Sequence, residues 1–142
     1  MKNLKDVRMK VVGIQKTDHS EGEKIELFTE GIFYKKNGTY CYEYEDTKLA
    51  DEGGGKTKLV LEGKILTMEK SGSLSASNMT FEKGKKHKSA YLTPYGQLNL
   101  EVLTTKFQSE VDDEGKGNID LEYTLNLSGG EKTINNLHIE IN

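Results

Sequence analysis

Tyr42, Tyr44, Lys70, Tyr91, Thr93 and Tyr95 are the side chains of this sequence whose types suit the holding of a small molecule. A tyrosine offers apolar ring area with a hydroxyl at its tip, which fits the wall of a half-polar cavity. Tyr40, Tyr42 and Tyr44 stand at alternate positions, so a strand would carry all three on one face. The same rings equally suit an ordinary core, filling space while their hydroxyls reach the rim, and both readings stay open. Lys70 continues the alternation of Leu66 and Met68. Facing inward, it would need a partner or water and would mark a polar cavity that attracts an anion. A bulge before Gly72 would turn it outward instead.

Catalytic and metal chemistry finds little support. His19, His87 and His138 lie in separate segments, none at ligand spacing from another or from Cys41. Each reads as a surface histidine. Cys41 has no neighbouring histidine or helix N-terminus to lower its pKa, and reads as a small strand residue. Gly53-Gly54-Gly55-Lys56-Thr57 invites a phosphate-loop reading, but Ala50 stands where that motif needs glycine, and a strand pattern follows in place of a helix. It reads as a hairpin loop. Asp112-Asp113-Glu114-Gly115 lacks oxygen ligands at alternate positions and a glutamate at the twelfth, and reads as an exposed turn. Glu43, Glu45 and Glu69 could serve Lys70 or the tyrosines in acid–base work, but nothing in the spacing gathers them. No catalytic residue, metal ligand or cofactor is assigned, and an enzyme ranks third among the functional readings.

Composition removes further classes. Lys and Arg number 20 against 23 Asp and Glu, a net charge of −3. Arg8 is the only arginine, so the bidentate forks that read phosphate and guanine are missing, and nucleic acid is not an expected partner. The basic run Lys83-Gly84-Lys85-Lys86-His87-Lys88 reads as a solvated turn. A single cysteine forbids an internal disulfide. No stretch approaches the ~20 apolar residues of a membrane helix, and the first residues show no apolar core or cleavage site. A cytoplasmic protein with no membrane contact is expected. The patterns Asn37-Gly38-Thr39 and Asn78-Met79-Thr80 carry no glycosylation meaning there.

The elements that would position these residues are strands. Apolar residues recur with period two through Val7–Val11, Ile25–Phe33, Tyr40–Tyr44, Leu59–Leu61, Leu66–Met68, Leu98–Thr104, Ile119–Leu127 and Leu137–Ile141. Glycines punctuate the runs, and Asn37-Gly38 suits a tight hairpin. Thr93-Pro94-Tyr95-Gly96 holds the only proline, at the second position of a turn. The runs near 97–110 and 117–127 are long, as coiling barrel strands are. Helix is confined to two possible single turns, Leu4–Met9 and Thr47–Asp51. The expected fold is all-β: one domain over residues 1–142, an antiparallel up-and-down meander of about eight to ten strands closed into a barrel.

Tyr91-Leu92-Thr93-Pro94-Tyr95-Gly96, with Leu98, Leu100 and Thr104 after it, resembles the YwiB-like family of small bacterial β-barrels of unknown function. Glu30-Gly31, Tyr42-x-Tyr44-Glu45, Gly72 and the tyrosine strand near the end add to the resemblance, which runs from about Val7 to Ile141. It implies a calycin-like or lipocalin-like barrel and no particular activity. Where the family places arginine two residues before the glycine that is Gly72 here, this chain has Lys70, a point charge in place of a fork. The Gly-x-Trp signature of lipocalins is absent, since the chain has no tryptophan.

The first functional expectation is a non-catalytic binding barrel, with the six residues above on its lining or rim and a small molecule as its partner. The alternative is a solid barrel acting as a protein-interaction module or homodimer. Phe28 and Ile32, on the face opposite Ile25 and Leu27, would then mark the interface.

Overall fold

The structure, a computed structural model, describes residues 4–17, 20–45, 55–72, 76–128, 130 and 132–142. Ten strands follow one another: β1 (Lys5–Thr17), β2 (Ser20–Lys36), β3 (Thr39–Glu45), β4 (Gly55–Glu62), β5 (Ile65–Gly72), β6 (Ala76–Glu82), β7 (Lys86–Thr93), β8 (Gly96–Val111), β9 (Gly117–Leu127) and β10 (Lys132–Ile141). Each pairs antiparallel with its sequence neighbours, and β10 returns to β1, closing the barrel. Closure leaves no free sheet edge at either terminus of the meander. The expected barrel is therefore present, with ten strands. Leu4–Met9 is not a helical turn: Val7 and Met9 alternate into the core while their strand pairs with β2 and β10. The turn considered at Thr47–Asp51 lies outside the described residues.

Alternation decides which side chains point inward. One end of the barrel is filled. Val7, Phe33, Tyr42, Leu59, Leu61, Leu66, Phe81, Ile119, Ile139 and Ile141 are all buried there or just above it. The tight connections lie at this end. Asn37 and Gly38, with φ of 52° and 81°, make the two-residue hairpin their sequence suggests. The 112–116 connection closes over the core like a lid. Its Asp112 carboxylate accepts the backbone N–H of Glu114 at 2.8 Å and of Lys116 at 3.0 Å. The Lys116 amide, foremost, holds the Asp112 carboxyl below the usual aspartate range. The Tyr42 hydroxyl donates to the Gly115 carbonyl at 2.7 Å, and the Phe33 ring lies 5.0 Å from the Tyr42 ring. The turn read from sequence is exposed at Asp112, Asp113 and Glu114, and its buried Gly115 is fastened to the core.

Toward the other end the inner wall changes character. Val11, Leu27, Met79, Tyr123, Leu125 and Leu137 still face inward and pack on the core, yet all are only partly buried. Further up, Ile25 is 57 % exposed, although it continues the inward face of Leu27. Apolar residues that face a barrel's interior and still meet solvent line an open mouth.

Two irregularities shape the wall. β8 carries a bulge between Thr104 and Lys106, so its inward series runs Leu100, Val102, Thr104 and then Phe107. The β6–β7 ladder has only two residue pairs, Ala76↔Leu92 and Ser77↔Tyr91, where β5–β6 has seven and β7–β8 eight. Below those two pairs the strands part. Between them opens a side groove of about 540 Å³ touching Asn78, Thr80, His87 and Ser89.

Candidate functional site

Cross-strand register joins several of the residues singled out by sequence. Tyr44 pairs with Thr57, Thr57 with Lys70, Lys70 with Ser77, and Ser77 with Tyr91. This is one continuous row around half the barrel, on the inward face. No register shift interrupts β5, so Lys70 stays on the face of Leu66 and Met68. It is exposed, as an ammonium at the rim of a wet mouth should be. Tyr44 and Thr57 are buried at the lower part of the row; Ser77 and Tyr91 are half-buried near its top.

The other residues lie elsewhere. Tyr42 is fully buried at the filled end, and burial, foremost, raises its hydroxyl well above the ordinary tyrosine pKa. Thr93 staples the Pro94 turn, its hydroxyl donating to the Gly96 carbonyl at 2.8 Å and accepting from the Tyr95 amide at 3.2 Å. Tyr95, at the tip of that turn, is 99 % exposed. The row therefore gathers Tyr44, Lys70 and Tyr91, and leaves Tyr42, Thr93 and Tyr95 outside it.

A second row was missed in the sequence. Thr104 on β8 stands opposite Tyr123 on β9, and Tyr123 opposite Asn135 on β10. All three face inward on a wall that is otherwise mostly apolar, with Leu121, Leu125, Leu137, Val102 and Phe107 around them. Thr104 has no exposure, and its hydroxyl has no hydrogen-bond partner. Burial pushes the Tyr123 hydroxyl up to about 12. Asn135 spends its Nδ2 on the hydroxyl and carbonyl of Thr133, at 3.0 and 3.4 Å. The available signal was an asparagine and a threonine on otherwise apolar alternating series. What the sequence withheld was that the register makes them neighbours.

Among the described residues the outer face gathers no comparable row. The acids considered for catalysis point outward: Glu43 accepts the Tyr34 hydroxyl at 2.6 Å, while Glu69 faces away from the Lys70 side of its strand. Most of the lysine run shares two carboxylates. Lys85 pairs with Glu82, Lys86 and Lys88 with Glu101, and His87 with Glu82. His138 lies between Asp120 and Glu140, which raise its pKa in that order of effect. His19 lies outside the described residues, which hold no cluster of three His, Cys, Asp or Glu side chains able to grip a metal. Among the same residues no helix is long and apolar enough to cross a membrane. Across β10, β1, β2 and β3 runs an outer groove of about 860 Å³ that includes Arg8, Lys10, Phe28, Glu30, Ile32 and Glu45.

Comparison with known proteins places this architecture. The family described as Domain of unknown function (DUF1934) matches residues 9–141. The uncharacterized β-barrel protein YwiB of Bacillus subtilis (strain 168) is 32 % identical over 126 residues, covering 86 % of this chain and 83 % of its own. The crystal structure of the ywiB protein from Bacillus subtilis superimposes with a TM-score of 0.79 at 25 % identity, covering 96 % of this chain and 92 % of that one. The resemblance read from the Pro94 turn and its surroundings is borne out.

Proposed function

The chain belongs to the family described as Domain of unknown function (DUF1934), and on that footing we propose that it is a non-catalytic, calycin-like barrel of the cytoplasm that takes a small amphipathic molecule into its open mouth. One observation carries this reading: the inward wall above the filled end is apolar but incompletely covered, from Tyr123 and Leu137 up to Ile25. Burying that wall under a ligand would recover roughly 25 cal/mol for each Å² removed from water. Lys70, at the rim and on the same face, suits an anionic group at the outer end of such a molecule. Tyr44 and Tyr91 share its row. The free, buried thiol of Cys41 accords with a reducing compartment.

A titration of isotope-labelled protein with octanoate, followed by amide NMR, tests the proposal. The expected shifts centre on Val11, Leu27, Leu125 and Leu137, with Lys70 moving at the rim. Shifts confined to the outer groove, or none at millimolar octanoate, overturn it.

A second reading has its own observation. Phe28 is 58 % exposed on the outer face of β2, beside half-buried Ile32. Around them stand charges of both signs: Arg8 and Lys10 on β1, Glu30 on β2, Glu43 and Glu45 on β3, Lys56 on β4 and Glu140 on β10. Such a face is self-complementary under a two-fold axis, so the partner it fits is a second copy of this chain. Light scattering should then show a dimer that Phe28→Glu converts to monomer; a monomeric parent protein at the same concentration removes this reading.

A further inference from the structure

We infer that the row Thr104–Tyr123–Asn135 is an anchor, inside the barrel, for an uncharged hydrogen-bonding group at the deep end of the bound molecule. This rests on the binding reading above and sharpens it, by naming the site and the chemical class. The ligand is an apolar molecule whose inner end carries an alcohol, ketone or amide, and not a carboxylate or phosphate.

The first observation is the orphan hydroxyl. Thr104 is completely buried and its Oγ1 finds no partner. Native proteins satisfy nearly all such groups, and an exception needs a reason. A threonine gains nothing here that valine would not give, unless something else completes its hydrogen bond. The second observation is its company. Tyr123 is its direct cross-strand neighbour, and no described residue hydrogen-bonds the Tyr123 hydroxyl. Asn135, next along, has its Nδ2 held by Thr133, which points the amide and leaves Oδ1 open. Two hydroxyls and one carbonyl oxygen thus offer donors and acceptors on adjacent strands, flanked by buried Val102 on β8 and by the partly buried Leu125 on β9 and Leu137 on β10.

The third observation is charge. The row contains no ionisable group that is charged near neutrality, and the Tyr123 phenol is held protonated by burial. An anion carried to this depth would lose its water without meeting a cation, a cost of several kcal/mol for an unpaired charge. A neutral polar group loses far less and gains the open hydrogen bonds. The rim lysine and the neutral floor therefore sort the two ends of one molecule.

Measured by amide NMR, the parent protein should bind 1-hexanol more tightly than 1-chlorohexane, a probe of similar size that cannot donate a hydrogen bond. Thr104→Val and Tyr123→Phe each keep the shape of the wall and remove one hydroxyl. Each should weaken 1-hexanol binding roughly fivefold and leave 1-chlorohexane binding unchanged, which is about the worth of one net hydrogen bond. Thr104→Val should in addition melt higher than the parent without ligand, by about 3 °C, because it deletes an unsatisfied buried group. A parent protein that binds both probes equally, or a Thr104→Val variant that binds 1-hexanol as tightly as the parent, overturns the anchor while leaving the binding barrel standing. Absence of binding by both probes and by octanoate overturns the two together.

Discussion

Gly117→Ala should be the most damaging small substitution in the molecule, costing about 3 kcal/mol or more and pulling the urea midpoint down accordingly. Gly117 opens β9 at a φ of +149°, a region open essentially to glycine alone. A Cβ there would lie 1.8 Å from the Glu110 carbonyl oxygen and 2.9 Å from the Val111 Cα. Both obstacles are backbone, so no side-chain rotation relieves the clash. The β8–β9 hairpin would have to shift as a body, and with it Ile119, which is fully buried two residues on. Gly13→Ala is the internal control. Nothing lies within 4 Å of its added Cβ, and that change should be neutral or stabilise by about 0.5 kcal/mol. Equal midpoints for the two variants would show that the hairpin is not held by this approach.

Tyr42→Ala ranks second, at about 3–5 kcal/mol, the usual range for emptying a large aromatic site in a core that cannot collapse. Tyr42 has no exposure and stands between Phe33 and the lid. The Gly115 backbone presses on Phe33 so closely that a Cβ on it would sit 2.6 Å from the ring. Removing Tyr42 leaves that stack unsupported on one side. Tyr42→Phe separates the two parts of the loss. It keeps the ring and strands the Gly115 carbonyl, for a cost of about 1–3 kcal/mol. Chemical denaturation of the pair should show the alanine variant well below the phenylalanine one; comparable losses would place the energy in the hydrogen bond and not in the packing.

The sequence spoke clearly wherever one face of a strand is dry. Ile119–Leu127 and Leu137–Ile141 alternate because their inner residues are buried in the apolar core or pack on it, and their strands were legible for that reason. β6 and β7 were not legible. On β6 only Met79 and Phe81 of the inward residues are apolar, and on β7 the inward residues are His87, Ser89 and Tyr91 while Ala90 and Leu92 point outward. Two apolar residues on one short strand, and an inner face as polar as the outer on the next, impose no readable period. Leu4–Met9 misled for a local reason, since six residues fit one helical turn as well as a strand start. Within the site, Tyr44, Lys70 and Tyr91 were visible as types on faces, while Tyr42 could not be told from a cavity residue without knowing which end is filled. The Thr104 row was hidden by register and by the Thr105 bulge, features that belong to pairs of strands and leave no mark on either one alone.

The two-rung ladder between β6 and β7 is the thinnest joint in the ring of described strands. A closed barrel breathes where its girdle is thinnest, and here that is a single joint. Local opening at the Ala76–Leu92 and Ser77–Tyr91 pairs breaks the fewest hydrogen bonds, so the amides of these four residues should exchange with solvent long before those of β1 or β9. Such gaping would widen the mouth without unfolding the filled end, letting a guest slip past a rim narrower than itself. The parted strands also offer bare backbone to any passing chain. Lys86 and Lys88, with their charges spread along the lip of the slit, discourage that meeting in the way charged edges keep other sheets from sticking.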